Sequence, residues 1–465
     1  MRNASMRITR RTILLPLVPL LFRPPQIMSQ IADFTIPPSG ILPNYDRVTI
    51  GQREGLEGGA FVARTDDAGA GWYNPAGLAL SEKSGLNASS NAYELTTITL
   101  EGIGQAKGST RFSPSGTYFG AVLGAPIIKS PNVRLAFFYA KPVAWTPGTL
   151  DGAFAIASGG NQEQFTYTST SNFSTIIPGL AAGFRIGKGL RVGTSAGLGM
   201  TGVHQVQSVG DQLIVPGVSS TTATRSVSTD GTVYSVLLGG GVQWDASSKV
   251  KIGGKITTPG IRMSGSSKLL YSQIIFSGAG SREVGFRDEN AKLDYKIPLE
   301  AVGGVAVLLD RFQLEGDVRY HGSASTYTLL SSGELARVVT TDPNGVPTES
   351  TLSFVPVQEK ADAVLNLAIG GHYRLSKGFR LHAGFFTDNS PVANADSSDF
   401  RTVDLVGASA GVSFSWTHLS GSLGVAGSWG TTDNRDVGPS LGGVSGNTKI
   451  KVSTFTMLYA ISYAF

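Results

Sequence analysis

The chain has 465 residues, no cysteine, 60 glycines and 22 prolines, and 15% of it is charged, against about 25% in soluble domains. Its formal charge of +5 is local: residues 1–30 hold Arg2, Arg7, Arg10, Arg11 and Arg23 without Asp or Glu, leaving 33 basic and 33 acidic residues beyond them. A neutral body excludes a basic nucleic-acid-binding face, 41% hydrophobic residues exclude a disordered chain, and the longest apolar run, Thr12 to Phe22, is too short for a helical span of about 20 residues.

Residues 1–30 read as a secretory signal, with a basic start, an apolar centre and Met28-Ser29-Gln30 at its end. The absence of cysteine agrees with an oxidising compartment reached without disulfides. Residues 31–83 do not alternate. They carry Pro37, Pro38, Pro43, Gly51, Gly55, Gly58 and Gly59, and a short helix over Gly51–Phe61 would be weakened by its glycines. Within them lies Thr65 to Leu80, TDDAGAGWYNPAGLAL. Asn74 before Pro75 favours a turn that the Asn side chain can support, and Gly77 would allow close backbone packing.

From Ser84 onward the texture changes to period two. Phe455, Met457, Tyr459, Ile461, Tyr463 and Phe465 share one face, and Phe312, Leu314, Gly316, Val318 and Tyr320 another. Fourteen candidate strands follow: 86–103, 115–128, 132–146, 170–187, 190–209, 224–245, 249–273, 284–309, 312–331, 357–375, 379–390, 401–417, 419–434 and 448–465. Their connections alternate between short (Lys188-Gly189, Asp310-Arg311, His418) and long (147–169, 210–223, 332–356, 435–447), the mark of an outer-membrane barrel. The fold class is therefore all-β: a 14-stranded antiparallel transmembrane barrel over residues 84–465, plugged by residues 31–83. A lumen of that width is not filled by its own side chains and calls for a plug.

Asp66-Asp67-Ala68-Gly69 followed by Asn74-Pro75-Ala76-Gly77-Leu78, with Gly55–Ala60 upstream, resembles the N-terminal hatch of the FadL/TodX family of outer-membrane transporters for long-chain fatty acids and other hydrophobic compounds. The resemblance extends to the architecture: export, hatch first, fourteen strands, an aromatic last residue. It implies that Asp66, Asp67, Asn74, Pro75, Ala76 and Gly77 form the hatch motif, and that external loops form a first capture groove. It carries over no ligand-pocket residue.

Apolar groups inside the expected loops are candidates for capture: Leu150, Phe154 and Ile156 in one, Leu213 and Ile214 in a second, Ile275 and Phe276 in a third. They read equally well as strand ends. His372, Arg374, Arg380 and His382 flank one short turn at alternating positions and would face the lumen near its inner rim, as a hatch anchor, a ligand-carboxylate site or a wetted rim. Pro142 cannot donate a ladder hydrogen bond and marks a strand end, a kink or a wall opening.

Catalytic patterns fail on context. Gly193–Gly197 and Gly407–Gly411 fit G-x-S-x-G, and Gly197–Gly202 fits G-x-G-x-x-G, but all lie in uninterrupted strand where a strand–turn–helix is needed. The five histidines form no metal-spaced pair. The expected protein is thus not an enzyme and uses no cofactor or metal. It is a monomeric bacterial outer-membrane channel that passes a hydrophobic small molecule or lipid passively, surrounded by outer-membrane lipid and with no nucleic-acid partner. Movement around Asn74–Gly77 would open its path. A general porin or a structural surface barrel is the alternative.

Overall fold

The structure is a computed structural model that describes residues 33–34, 44–46, 50–81, 83–101, 105–108, 115–145, 149–158, 161–217, 220–392, 403–436 and 447–465. The expected signal, 1–30, lies outside them.

Fourteen staves close one antiparallel wall. They are β1 (Gly85–Glu101), β2 (Ser115–Leu123), β3 (Val133–Trp145), β4 (Asn161–Arg185), β5 (Leu190–Ile214), β6 (Thr221–Asp245), β7 (Val250–Thr257, resuming at Ile261–Ser277), β8 (Gly280–Leu293, resuming at Glu300–Leu308), β9 (Phe312–His321, resuming at Ala324–Ser331), β10 (Val357–Ala361 and Val364–Arg374), β11 (Phe379–Asp388), β12 (Leu405–Ser415), β13 (Leu419–Asp436) and β14 (Asn447–Ala464). β14 pairs back onto β1 from Gly85↔Ala464 to Glu101↔Lys449, so the ladder has no open edge to leave unsatisfied in lipid. Alternation decides the faces. Phe455, Met457, Tyr459, Ile461 and Tyr463 are exposed on the outside, while Thr456, Leu458 and Ala460 are buried inside. On β9, Leu314, Val318 and Tyr320 face out, whereas Glu315 and Asp317 are buried in the lumen.

Three expectations change. Stretches 147–169 and 210–223 are largely strand rather than loop: Thr149–Ser158 pairs with β4, and β4, β5 and β6 run 25 residues each. Their outer ends carry Thr, Ser and Gln in place of an apolar face, which hides them from a hydrophobic-alternation reading. β7 and β8 are each interrupted, at Thr258–Gly260 and Asp294–Leu299, because Pro259 and Pro298 cannot donate to a ladder. The helix expected over Gly51–Phe61 shrinks to a 3₁₀ turn, Gly55–Glu57, capped by the left-handed Gly58.

Residues 50–81 cross the lumen. The turn Gly55–Glu57 packs against β10, β11, β12 and β13, and the 3₁₀ turn Pro75–Leu80 against β4, β5 and β6 on the opposite side. The wall admits this segment through a girdle of glycines. A Cβ at Gly183 would sit 2.7 Å from Ala79 N, and one at Gly411 2.7 Å from Leu56 Cδ2. Gly193, Gly241, Gly253, Gly304, Gly370, Gly384 and Gly424 meet the segment in the same way. Neighbours on one strand separate the two faces: a Cβ at Gly303 meets nothing within 4 Å, whereas at Gly304 it would overlap Val62 and the Asp317 carboxylate. Gly304→Ala is therefore expected to cost about 1–3 kcal/mol, and Gly303→Ala less than about 0.5 kcal/mol, measured by thermal unfolding of the barrel in detergent. Equal effects would contradict the packed inner face.

Candidate functional site

The crossing segment, and residues 44–46 ahead of it, are held by polar tethers to inward-facing positions of the wall. The first is Asp46, whose carboxylate accepts from Arg319 Nη1 (3.1 Å), His321 Nε2 (3.0 Å) and Asn366 Nδ2 (2.7 Å). Burial would raise its pKa, but the cationic partners outweigh burial and hold it below the usual carboxylate range.

The second tether is centred on Arg64, 3% exposed, which pairs with Glu57 and, at 2.8 Å, with Glu315. Both His372 Nδ1 (3.0 Å) and His382 Nδ1 (2.6 Å) donate to Glu57 Oε1, and Ser413 Oγ lies 2.7 Å from His382 Nε2. Burial works to protonate Glu57, yet Arg64 and the two imidazoles overcome it and keep the carboxyl ionised. The ligand atoms of Glu57, His372 and His382 lie within 4.8 Å of one another, a donor set that could chelate a divalent cation. Here the guanidinium on the same carboxylate already supplies the positive charge. Glu315 Oε1 also accepts from Ala63 N (2.6 Å), and Asp317 Oδ2 from Phe61 N (2.9 Å) and Val62 N (3.2 Å).

The third tether is Asn74, fully buried and extended, the N-cap of Pro75–Leu80. Its Oδ1 accepts from Ala76 N (3.1 Å), while Nδ2 reaches Val62 O (2.8 Å), Val242 O (2.9 Å) and Gly254 O (3.2 Å). Pro75 lies at the first helical position, where no N–H is needed, and a Cβ on Gly77 would overlap Thr65 O. Asp66 and Asp67 both take Arg53 Nη2, at 2.5 and 3.1 Å. Of the six expected motif residues, Asn74, Pro75, Ala76 and Gly77 are buried and Asp67 half-buried, while Asp66 is exposed.

Two cavities flank the segment. The outer one, about 110 Å³, is lined by Ile50, Val62, Trp72 and Tyr73 of the segment and by Phe138, Ile177, Leu237 and Ile297 of the wall. The inward fold of Asp294–Leu299 supplies Tyr295, Ile297 and Pro298 to it. Pro142 lines it too, in a β3 whose register against β4 shifts between Ala140 and Val143. This is a bulge in mid-strand rather than a strand end. The inner cavity, about 180 Å³, lies between the segment and the short turns and includes Arg53, Phe61, Arg64, His372, Arg374 and Arg380.

Of the expected capture residues, Leu213 and Ile214 are half-buried at the end of β5, Ile275 is buried and Phe276 is exposed in β7. Leu150, Phe154 and Ile156 belong to the strand Thr149–Ser158, and their side chains lie outside the described ones. His372 and His382 are directly opposite in the β10–β11 pair, as are Arg374 and Arg380. The histidines are buried anchors and the arginines line the inner cavity. Sequence reading missed Asp46, Glu54, Glu57, Arg64, Glu315 and Asp317. The available signal was Glu315 and Asp317 on the inward face of an alternating strand. In the serine patterns, Ser409 Oγ donates to Leu56 O (2.8 Å) and accepts from Gly58 N (3.0 Å), so its role is to fix the segment.

Two of these carboxyls are only half satisfied, Asp317, whose Oδ1 has no partner among the described residues, and Glu54. Its Oε2 accepts from Arg53 N (3.0 Å), but the buried Oε1 has no partner among the described residues. Burial, then the adjacent Asp67 carboxylate, push its carboxyl up to about 8. A carboxyl whose folded pKa is raised favours the protonated folded form, so this contribution is complete below the ordinary carboxyl pKa and is lost as pH rises through 8. Hydrogen exchange of residues 50–81 is expected to accelerate between pH 5 and pH 9, beyond the intrinsic chemical rate, and Glu54→Gln should remove the excess. An excess unchanged in Glu54→Gln would contradict the assignment.

No protein-family sequence model matches the chain, and no curated protein matches it. Solved structures do. A FadL homologue of Pseudomonas aeruginosa matches over 91% of this chain and 100% of its own, at TM-score 0.58 and 13% identity. The P. putida toluene transporter TodX matches over 90% and 98%, at 0.56 and 13%, and the monoaromatic hydrocarbon channel CymD over 90% and 99%, at 0.53 and 13%. This chain has the fold of the FadL and TodX channels, a closed antiparallel barrel of fourteen strands.

Proposed function

We propose that the chain is an outer-membrane channel that passes hydrophobic small molecules down their gradient, with residues 31–83 as its hatch and 84–465 as its wall. The observation that carries this reading is the outer cavity: a chamber of about 110 Å³, lined chiefly by apolar side chains together with the paired charges of Asp46, Arg319, Lys255 and Glu300, whose floor is the crossing segment. An aqueous porin would hold an open lumen instead, with no crossing segment closing it below. A chamber of this size suits one small ring or a short stretch of alkyl chain, since a dry 150 Å³ cavity takes benzene, and each buried Å² of ligand contributes about 25 cal/mol. The neighbours named for toluene and monoaromatic hydrocarbons agree with that size.

The exposed apolar band of the wall supports an outer-membrane location, and the all-round ladder supports a monomer. Leu213, Ile214 and Phe276 at the outer strand ends would collect ligand before it enters. The ligand then passes inward when residues 50–81 shift as a unit. The bulge at Lys141–Pro142 is the competing sideways exit, since Pro142 faces the same chamber. The site calls for no reaction chemistry, because every buried carboxylate and imidazole described above, except Glu54, is engaged in holding the segment.

The test is uptake of labelled toluene and of a labelled long-chain fatty acid by cells lacking their own transporter. The intact chain is expected to give saturable uptake of at least one, and Ile297→Asp, which places a charge in the apolar chamber, to reduce it at least about tenfold, equivalent to 1.4 kcal/mol. High ion conductance with uptake of neither would overturn the reading in favour of a porin.

A further inference from the structure

The two cavities differ in charge in a way that bears on the ligand. In the outer one each cation is matched: Lys255 Nζ lies 2.7 Å from Glu300, Arg319 Nη1 3.1 Å from Asp46, and Asp317 lies beside them. In the inner one the lining includes Arg53, Arg64, Lys251, Arg311, Arg374 and Arg380 against two carboxylates, Asp66 and Asp310. Arg53 and Arg64 are spoken for by Asp66, Asp67, Glu57 and Glu315, and Lys251 lies 3.6 Å from Asp245. Three guanidiniums remain. Arg374 donates to the carbonyl of Asp310, Arg380 Nη1 lies 3.4 Å from Ser415 Oγ, and none of Arg311, Arg374 and Arg380 has a carboxylate partner among the described residues.

Arg374 and Arg380 are directly opposite in the β10–β11 ladder, where like charges repel unless something lies between them. Guanidinium is the group best shaped for two parallel hydrogen bonds to a carboxylate or phosphate. Phe61 and Val62, adjacent in the chain, face the inner and outer cavities respectively. A molecule leaving the apolar chamber past this pair would therefore meet the arginines at once.

We propose that the inner cavity is an oxyanion site, formed by Arg374, Arg380 and Arg311, that receives the carboxylate of an amphipathic ligand as its apolar tail leaves the outer chamber. This rests on the channel reading for the identity of the ligand, though not for the anion chemistry. The outer chamber would then hold the tail of an acid as well as a neutral ring, and the acid end would be received by the guanidinium donors of Arg374 and Arg380.

The experiment is calorimetric titration of the intact chain in a nonionic detergent with hexanoate, hexanol and inorganic phosphate. Saturable hexanoate binding is expected, at least about tenfold tighter than hexanol, which corresponds to 1.4 kcal/mol. The paired substitution Arg374→Gln, Arg380→Gln should abolish that preference, and Arg374→Lys, Arg380→Lys, which keeps the charge but loses the fork, should retain part of it. Phosphate binding as tightly as hexanoate would support the oxyanion site and assign it to a free periplasmic anion. Binding of neither anion to the intact chain, or hexanoate binding unchanged in the Gln pair, would overturn the proposal. Toluene uptake by the intact chain separates the two readings: if it persists while anion binding is absent, the channel stands and the oxyanion site falls, and the reverse pattern removes the channel alone.

Discussion

A buried guanidinium determines where the crossing segment lies. Arg64 is enclosed by the barrel, and removing such a charge from water costs several kcal/mol unless it is fully paired. The carboxylates that satisfy it come from two places: Glu57 from seven residues earlier in the same segment, and Glu315 from the wall. Glu57 in turn binds His372 and His382 on the adjacent strands β10 and β11. One connected set of charges thus spans the segment and three wall strands. Breaking any member would leave another uncompensated, which makes the placement specific even where its net contribution to stability is small.

The glycine girdle makes that placement sterically possible. Backbone of the segment approaches the wall at strand after strand where a methyl group would collide. The fit leaves a cavity on either side of the segment, so the chamber floor and the inner cavity both follow from where Arg64 and Asn74 pin the chain. Glu54 stands out in such a network: one oxygen of its buried carboxyl accepts from Arg53 N, and the other has no partner among the described residues. Segments that have to move are drawn from the less stable parts of a structure, and this carboxyl supplies a local reason for residues 50–81 to yield before the wall does.

Much of this was legible in the chain. Each of the fourteen staves has a lipid face and a lumen face, so period two exposes it, as the last strand shows residue by residue from Phe455 to Tyr463. The motif at Asp66–Gly77 was legible because an Asn-Pro turn and a close-packed glycine each demand specific residues. Other features were not. Beyond the membrane the outward face turns polar, as at Thr166 and Thr168, while the inward face buries Gln205 and Gln207 beside Tyr167 and Val209, so apolar residues no longer mark one strand face. The girdle is invisible because the glycines it uses follow barrel geometry rather than a sequence period. The charge network joins residues more than 300 positions apart, and nothing local to Glu57 announces His372 or His382.

The central claim, that the crossing segment moves to let ligand through, is tested by locking it to the wall. A Cβ built on Gly71 lies 3.2 Å from the Cβ of Phe138 on β3, near the spacing a disulfide spans, and the chain has no cysteine of its own. The pair Gly71→Cys, Phe138→Cys therefore allows uptake of labelled ligand to be compared in the oxidised and reduced forms of one protein. Uptake lost on oxidation and recovered with reductant is the predicted result. Uptake unchanged by a fully formed crosslink would contradict the account and leave the bulge at Pro142 as the way out.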